Sequence, residues 1–369
     1  MSLDLPQEKK YRIKSMAESF LKINTCTVRK LAEFIGLLTS ACPAVSYGWM
    51  YTKLFEREKF LALNYSLNYN KRMNLGAHLK KDFKWWIDKI DSSSSPINRQ
   101  DYVLEIYSDA SGTGWGVACN DRTASGNWNS FELRKHINFL ELKASFYGLK
   151  IFARHLSNCS VLLRIDNTTA ISYINRMGGV QIVHLNELSR EIWQWCENRN
   201  IFIFASYIKS AENVTADYAS RQVSIDTEWA LSDHAFNHIV KTLGVPNFDL
   251  FASIQNHKCE RYASWKLDPQ SEIIDAFTFN WTNLYFYAFP PFCLITKVLH
   301  KIIANKAVGI VVVPYWPTQP WYPLYRRLVA SVEIFFDPHP DLLYSPFREA
   351  HPLHAELTLV AAKLSGKLL

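Results

Sequence analysis

Two stretches of the chain share one design, an apolar strand that ends in an acid and then turns. In the first, Leu104, Ile106 and Ser108 alternate with Val103, Glu105, Tyr107 and Asp109, and the run Ser111-Gly112-Thr113-Gly114 leads into a second strand over 114–119. In the second, Val161, Leu163 and Ile165 alternate with Leu162, Arg164 and Asp166, and a helix is predicted over 168–177. Period two in both, with a helix after the second, constrains the chain to a mixed α/β sheet. Adjacent parallel strands place equivalent residues side by side at their C-terminal ends, so Asp109 and Asp166 are expected to be neighbours. The alternative for Asp166 is a cap on the helix that follows it.

A third short strand of the opening meander is expected around 131–133. Asn138 is then predicted to open a helix. Glu141 follows it by three positions, a capping-box spacing, and that is one reading of this residue. The other rests on Ala144, Ser145 and Gly148, a stripe of small residues that lets the helix lie close on the sheet and brings its leading carboxylate to the sheet surface. An amphipathic helix over 185–198, an apolar strand over 201–208 and a short helix after Asn213 complete the pattern. Asp217 in that last helix can reach back toward the other acids. Carboxylates gathered without histidine or cysteine suit a hard divalent cation, which takes oxygen ligands.

The order β-β-β-α-β-α-α-β-α with acids at 109, 141, 166 and 217 resembles ribonuclease H. Tyr107-Ser108-Asp109-Ala110-Ser111 is similar to the motif of the first acid, and Phe139-Leu140-Glu141-Leu142-Lys143-Ala144 to that of the second. Asp166-Asn167-Thr168-Thr169-Ala170 with Met177-Gly178-Gly179 fits the third, and Glu212-Asn213-Val214-Thr215-Ala216-Asp217-Tyr218-Ala219-Ser220-Arg221 the fourth. The likeness covers 101–222 and points to the ribonuclease H domains of retroelement reverse transcriptase polyproteins, in particular DIRS-like elements. It implies endonucleolytic hydrolysis of the RNA strand of RNA–DNA hybrids, recognised by 2′-hydroxyls in a wide minor groove. It also implies two Mg²⁺ ions about 4 Å apart, for which Mn²⁺ can substitute. Asp109 would bridge both, Glu141 and Asp166 would complete one, and Asp217 the other. Without metal the four acids repel one another, so the cations are expected to matter structurally as well. Asn167, beside Asp166, is expected to touch nucleic acid.

Upstream, residues 8–95 read as helical. Val28, Leu31, Ala32, Ile35 and Leu38 recur at helical spacing, with Thr25 or Thr27 as cap and Cys42-Pro43 as terminator. Leu75, Leu79, Phe83, Trp86, Ile87 and Ile90 define a second helix whose other side carries Lys80, Lys81, Lys84 and Lys89, with Lys71 and Arg72 just before it. Charge favours an anionic partner for this segment. The chain's net charge is +7, and residues 1–90 hold 16 Lys/Arg against 8 Asp/Glu, so a surplus of eight sits there and the remainder is near neutral. Basic residues interleaved with Phe83, Trp85 and Trp86 suit a phosphate track; a solvated basic face over core aromatics is the alternative. The segment resembles the thumb and connection that follow the palm in these reverse transcriptases. A Tyr-x-Asp-Asp polymerase motif is absent from the sequence, so DNA synthesis is not expected and a palm would come from elsewhere. Asp91 to Pro96 reads as the boundary of this segment.

Residues 223–369 return to an α/β pattern. Phe248-Asp249-Leu250-Phe251, Asp275-Ala276-Phe277, Phe289-Pro290-Pro291-Phe292 and an apolar strand over 308–313 resemble the Dam-like adenine methyltransferase domain of DIRS-like elements, a Rossmann-like fold. The resemblance implies S-adenosylmethionine near Asp249 and Asp275, and a loop of Pro290, Pro291 and Phe292 stacking on a flipped base. Phe289 stands where the loop needs a polar acceptor and cannot accept the amino group's hydrogen bond, which counts against methyl transfer. Helix caps and surface acids are the alternative for Asp249 and Asp275, and core packing is the alternative for Trp281, Tyr285, Phe286, Trp316 and Trp321.

The expected organisation is therefore 1–95 helical and thumb-like, 101–222 ribonuclease H-like, and 223–369 methyltransferase-like. The partners expected are RNA–DNA hybrid and DNA; a non-catalytic nucleic-acid-binding remnant is the alternative function. Seven scattered cysteines, without a Cys-x-x-Cys pair, read as buried thiols of a reducing compartment, cytoplasmic or nuclear. Neither a secretory signal nor an 18-residue apolar run occurs, so no membrane association is expected.

Overall fold

The strand that ends near Asp109 is the middle one of five. In this computed structural model, which describes residues 1–64, 67–97, 101–221, 229–345 and 350–368, they are β1 (Tyr102–Ala110), β2 (Gly114–Cys119), β3 (Arg122–Asn127), β4 (Cys159–Ile165) and β5 (Ile201–Tyr207). Their order is β3-β2-β1-β4-β5. The first three form an antiparallel meander, and β4 and β5 run parallel to β1. The sheet and its helices belong to a compact unit, Met1–Gln222; the rest, Val223–Leu369, is a second. The expected junction at 222–223 lies outside the described residues.

The third strand differs from the expectation. It is Arg122–Asn127, whereas 131–133 lies in and beside a 3₁₀ turn, Glu132–Arg134. Asn120 adopts a left-handed φ of 52°, which reverses the chain sharply after β2. The side chain of Asn129 then accepts the backbone N–H groups of Phe131 (3.0 Å) and Glu132 (2.8 Å), turning the chain out of the sheet. Arg122–Asn127 has no apolar alternation to announce it; residue-by-residue pairing with β2 makes it a strand.

Among the described residues four α-helices precede the sheet: α1 (Gln7–Leu21), α2 (Val28–Ala41), α3 (Lys53–Leu63) and α4 (Lys80–Lys89). Thr27 caps α2, its hydroxyl oxygen accepting the Lys30 N–H at 3.2 Å. The four pack around the buried rings of Phe20, Phe34, Phe55 and Phe83. Trp86 is buried as well, and Trp85 stacks on Tyr51 with ring centroids 4.0 Å apart. Phe83, Trp85 and Trp86 are thus packing residues, and Lys80, Lys81, Lys84 and Lys89 of α4 face out, whereas Lys10 and Lys53 are buried.

Four more helices accompany the sheet: α5 (Ile137–Phe152), α6 (Thr168–Asn175), α7 (Val183–Glu197) and α8 (Val214–Arg221). α7 ties the helical segment to the sheet. Its Arg190 forms an ion pair with the fully buried Asp82 of α4, and its Glu197 accepts from Tyr51 Oη (2.6 Å) and Trp85 Nε1 (2.8 Å). Ser94–Pro96, in the stretch read as a boundary, pairs with Ser2–Asp4. α5 lies close on β1: the hydroxyls of Ser145 and Ser108 are 2.9 Å apart, and a Cβ on Gly148 would come within 2.8 Å of Ile106 Cγ2.

The second unit has its own five-stranded sheet. Phe248–Asp249, Tyr285–Ala288 and Val308–Pro314 run parallel in that order, and Leu359–Ser365 lies antiparallel between Val308–Pro314 and Ile334–Phe336. Trp281, Phe286 and Tyr325 are fully buried in its core with Val311 and Val313, and Trp321 joins them, so these aromatics serve packing. Cys26, Cys42, Cys119, Cys196 and Cys259 are buried free thiols. Cys159 is half-buried and Cys293 exposed, so burial does not extend to the whole set as expected. Among the described residues no helix is long and apolar enough to cross a membrane.

Candidate active site

At the C-terminal ends of β1 and β4, three acids converge. Asp109, Glu141 and Asp166 each offer an oxygen, and these oxygens all lie within 4.8 Å of one another. Asp109 comes from the end of β1 and Asp166 from the residue after β4, as the parallel pairing of the two strands requires. Glu141 comes from α5. That helix begins at Ile137 and is capped by His136, whose Nδ1 accepts the Asn138 N–H at 3.2 Å. Glu141 therefore sits inside the helix, beyond the capping-box position, and the small face beneath it delivers it to the sheet. The cap of α6 is likewise Asn167, accepting the Ala170 N–H at 2.9 Å, and not Asp166. Asp166 is left for the site.

Glu141 is 4% exposed and Asp109 6%. Burial, with Asp109 and Asp166 adding repulsion, pushes the Glu141 carboxyl up to about 9; the Ala110 N–H opposes the rise. Asp109 is also raised, chiefly by burial and then by Asp166 and Asp217, while a hydrogen bond from Ser220 acts against this. Glu141 Oε2 is buried and makes no hydrogen bond. A buried acceptor without a donor is costly, and a cation bound there would satisfy that oxygen and offset the repulsion. With oxygen donors only, the group fits a hard divalent ion.

Asp217, in the first turn of α8, stands beside these three and outside their 4.8 Å group. Its Oδ1 accepts from Arg221 Nε at 3.0 Å and forms an ion pair with the same guanidinium. It still raises Asp109 through its charge. α8 is held on the sheet by Asn213 Nδ2 donating to Ser108 O (3.0 Å) and Ser111 Oγ donating to Ser220 O (2.8 Å). Ser220 Oγ donates to Asp109 Oδ2 and Ser210 Oγ to Asp166 Oδ2, both at 2.6 Å. Ser210 lies outside the motifs, and Ser220 and Arg221 belong to the fourth motif without a role assigned from sequence. For the last two a signal exists: positions three and four after Asp217 share its helix face.

No family model matches the chain, and no curated protein matches it. Solved structures do. Ribonuclease H1 from Halobacterium salinarum NRC-1 is similar at 15% identity over 31% of this chain and 92% of that one, with a TM-score of 0.26. The N-terminal ribonuclease H domain of a Mycobacterium tuberculosis protein is similar at 16% identity over 31% and 94%, with a TM-score of 0.27. The foamy viral protease–reverse transcriptase solved with an RNA/DNA hybrid is similar at 12% identity over 61% of this chain, which spans 29% of that one, at a TM-score of 0.23.

The proposed nucleic-acid residues divide. Lys71, Arg72, Lys80, Lys81 and Lys84 are exposed, and Arg72 also donates to Thr25 Oγ1 at 2.6 Å. Asn167 is engaged on both ends of its amide, capping α6 and donating to Asn138 Oδ1 at 2.9 Å.

In the second unit Asp249 is buried, which raises its carboxyl to about 6. Its two oxygens accept backbone N–H groups, Oδ1 from Phe251 (3.2 Å) and Oδ2 from Lys258 (3.0 Å), so it closes its own loop. Asp275 is exposed, with a left-handed φ of 63°, and caps the turn Ala276–Thr278 through the Phe277 N–H. Pro290 is buried and Pro291 exposed. Phe292 packs edge-on against Trp316 (5.3 Å) and Phe289 (6.3 Å). This aromatic cluster, directly after Tyr285–Ala288, contains no acceptor at Phe289.

Proposed function

We propose that residues 101–222 hydrolyse the RNA strand of RNA–DNA hybrids with the help of divalent cations, Mg²⁺ or Mn²⁺. The observation that carries this reading is the convergence of Asp109, Glu141 and Asp166 within 4.8 Å, with Glu141 Oε2 buried and unpartnered. The β-β-β-α-β-α-α-β-α order and the sheet order around them fit a ribonuclease H-like fold.

Asp109, Glu141 and Asp166 would hold one cation. Asp109, on the central strand and sensing both Asp166 and Asp217, is assigned to both halves of the site, and Asp217 completes the second half. Held there, divalent cations would supply activation of a water and compensation of the charge developing on the leaving 3′-oxygen. The chain's own part is to hold the acids close together despite burial and mutual repulsion, which favour a proton on Glu141 until a cation takes its place, and to keep α8, with Asp217, against β2. Exposed lysines of α4 would track the phosphates of the duplex, since a row of ammonium groups suits a polyanion of any sequence.

For the helical segment we infer a thumb- and connection-like role in a DIRS-like retroelement fragment. For the second unit we infer a Rossmann-like, methyltransferase-type scaffold without transfer chemistry. Its parallel strands support the scaffold, while Phe289 and the internally engaged Asp249 count against the chemistry.

The test is Asp109→Asn. It should abolish Mg²⁺-dependent cleavage of a labelled hybrid, about 10³-fold or more in rate, while hybrid binding in EDTA stays within about three-fold of wild type. Full residual cleavage would remove Asp109 from the site.

A further inference from the structure

The hydrogen bond from Ser220 to Asp109 is the shortest link between α8 and the acid group that the sheet delivers. Oγ and Oδ2 are 2.6 Å apart, and both residues are buried, Ser220 at 1% exposure. Ser220 Oγ also lies 2.9 Å from Asp217 O. A hydroxyl has one proton, and the shorter contact to a carboxylate is the stronger acceptor. Ser220 is fixed in turn: its carbonyl accepts Ser111 Oγ at 2.8 Å, and its backbone nitrogen lies over Gly116, where no side chain intervenes. Asp109 therefore has one oxygen pinned by a donor whose own position is set on two sides. A carboxylate held through one oxygen keeps its plane and leaves the second oxygen for a cation.

We propose that Ser220 is a positioning residue for the metal site, orienting Asp109 through this hydrogen bond so that divalent cations bind to a carboxylate already set in place. The proposal rests on the metal-dependent reading given above and adds to it a residue from outside the acid set. It also assigns α8 two tasks, carrying Asp217 and fixing Asp109. Ser220 is buried behind Asp109, and its assigned role is to orient that carboxylate, with no proton transfer.

Mn²⁺ binding to the full chain, measured by electron paramagnetic resonance of the free aquo ion, tests this without reliance on cleavage. Wild type is compared with Ser220→Ala, Ser111→Ala and Asp109→Asn, each with its thermal unfolding midpoint recorded. Ser111→Ala loosens the docking of α8 but leaves the Ser220–Asp109 bond. Ser220→Ala should weaken Mn²⁺ binding about ten-fold, the scale of a hydrogen bond to a charged group, and Ser111→Ala less than about three-fold. Equal losses in the two variants, or no loss in Ser220→Ala, would overturn the proposal. Should Ser220→Ala not fold, Ser220→Cys takes its place: a loss of about three-fold or more supports the proposal and wild-type binding overturns it. Wild-type chain that does not bind Mn²⁺, or Asp109→Asn that binds it equally well, would instead defeat the metal site itself.

Discussion

Gly116 of β2 faces Ala216 of α8 across a gap that admits no side chain. A Cβ at Gly116 would meet the Ala216 carbonyl oxygen and the Ser220 backbone nitrogen well inside contact distance. The backbone of α8 can therefore lie directly on the strand paired to β1, where Asp109 stands opposite Gly116. Gly116→Val should lift α8 and destabilise the first unit by about 1–3 kcal/mol, the usual penalty of overpacking. Urea unfolding reads the stability, and cleavage should fall by more than the unfolded fraction explains, because Asp217 and Ser220 move with the helix. Wild-type stability in this variant would contradict the close approach.

The metal-free site should make folding sensitive to pH. Glu141 has a folded pKa of about 9, above its ordinary 4.5, so the native state holds a proton that the unfolded chain releases. Its contribution to stability is full below about pH 4.5 and is lost as pH rises toward 9, at no more than roughly 1.4 kcal/mol per pH unit. The raised Asp109 acts in the same direction. Urea midpoints in EDTA should therefore fall between pH 5.5 and 8.5. Glu141→Gln should flatten that fall and raise stability at pH 8.5, and Ca²⁺ should stabilise wild type but not the variant. A wild-type curve flat in pH would argue that Glu141 is ionised without metal.

Asp82 and Arg190 couple the helical segment to α7 from within the protein. Asp82 is fully buried, and burial raises its carboxyl despite the guanidinium beside it. Asp82→Ala leaves Arg190 without its partner and should cost about 3–5 kcal/mol. A paired replacement by Leu at 82 and Met at 190 should recover much of that loss. Chemical denaturation of the two variants makes the comparison; a loss under about 1 kcal/mol in Asp82→Ala would mean that the pair is not buried.

Lys80, Lys81 and Lys84 are exposed on one helix and assigned to phosphates. Replacing all three by Ala should weaken hybrid binding and lower the slope of log affinity against log salt by roughly 2–3, about 0.7–0.9 per lost contact. Fluorescence anisotropy in EDTA over a salt series measures both. An unchanged slope would return these lysines to an ordinary solvated face.

The site was readable where two periodicities crossed it. Strand alternation placed Asp109 and Asp166, and the small residues at 144, 145 and 148 placed Glu141, because each pattern is a local record of packing. What alternation could not record was β3, an edge strand defined by its partner, or the true cap of α5, where a histidine does what Asn138 was expected to do. The donors to the acids were hidden for another reason. Ser210 meets Asp166 across 44 positions of sequence; Ser220 shares the helix face of Asp217, but its bond to Asp109 spans 111 positions, and only the fold makes either pairing. Trp85 and Trp86 show a different case: the sequence left a nucleic-acid surface and core packing both open, and the rings are occupied with Tyr51, Glu197 and the helical core.

The most direct measurement is incubation of the full chain with an RNA–DNA hybrid, each strand carrying its own label, beside duplex DNA and duplex RNA, in Mg²⁺, Mn²⁺ or EDTA. The RNA strand of the hybrid should be cut internally with either cation, leaving 3′-hydroxyl ends, while its DNA strand and both control duplexes stay whole and EDTA stops the reaction. An intact hybrid in both Mg²⁺ and Mn²⁺, with protein bound to it, would contradict the catalytic reading and leave a nucleic-acid-binding protein in its place.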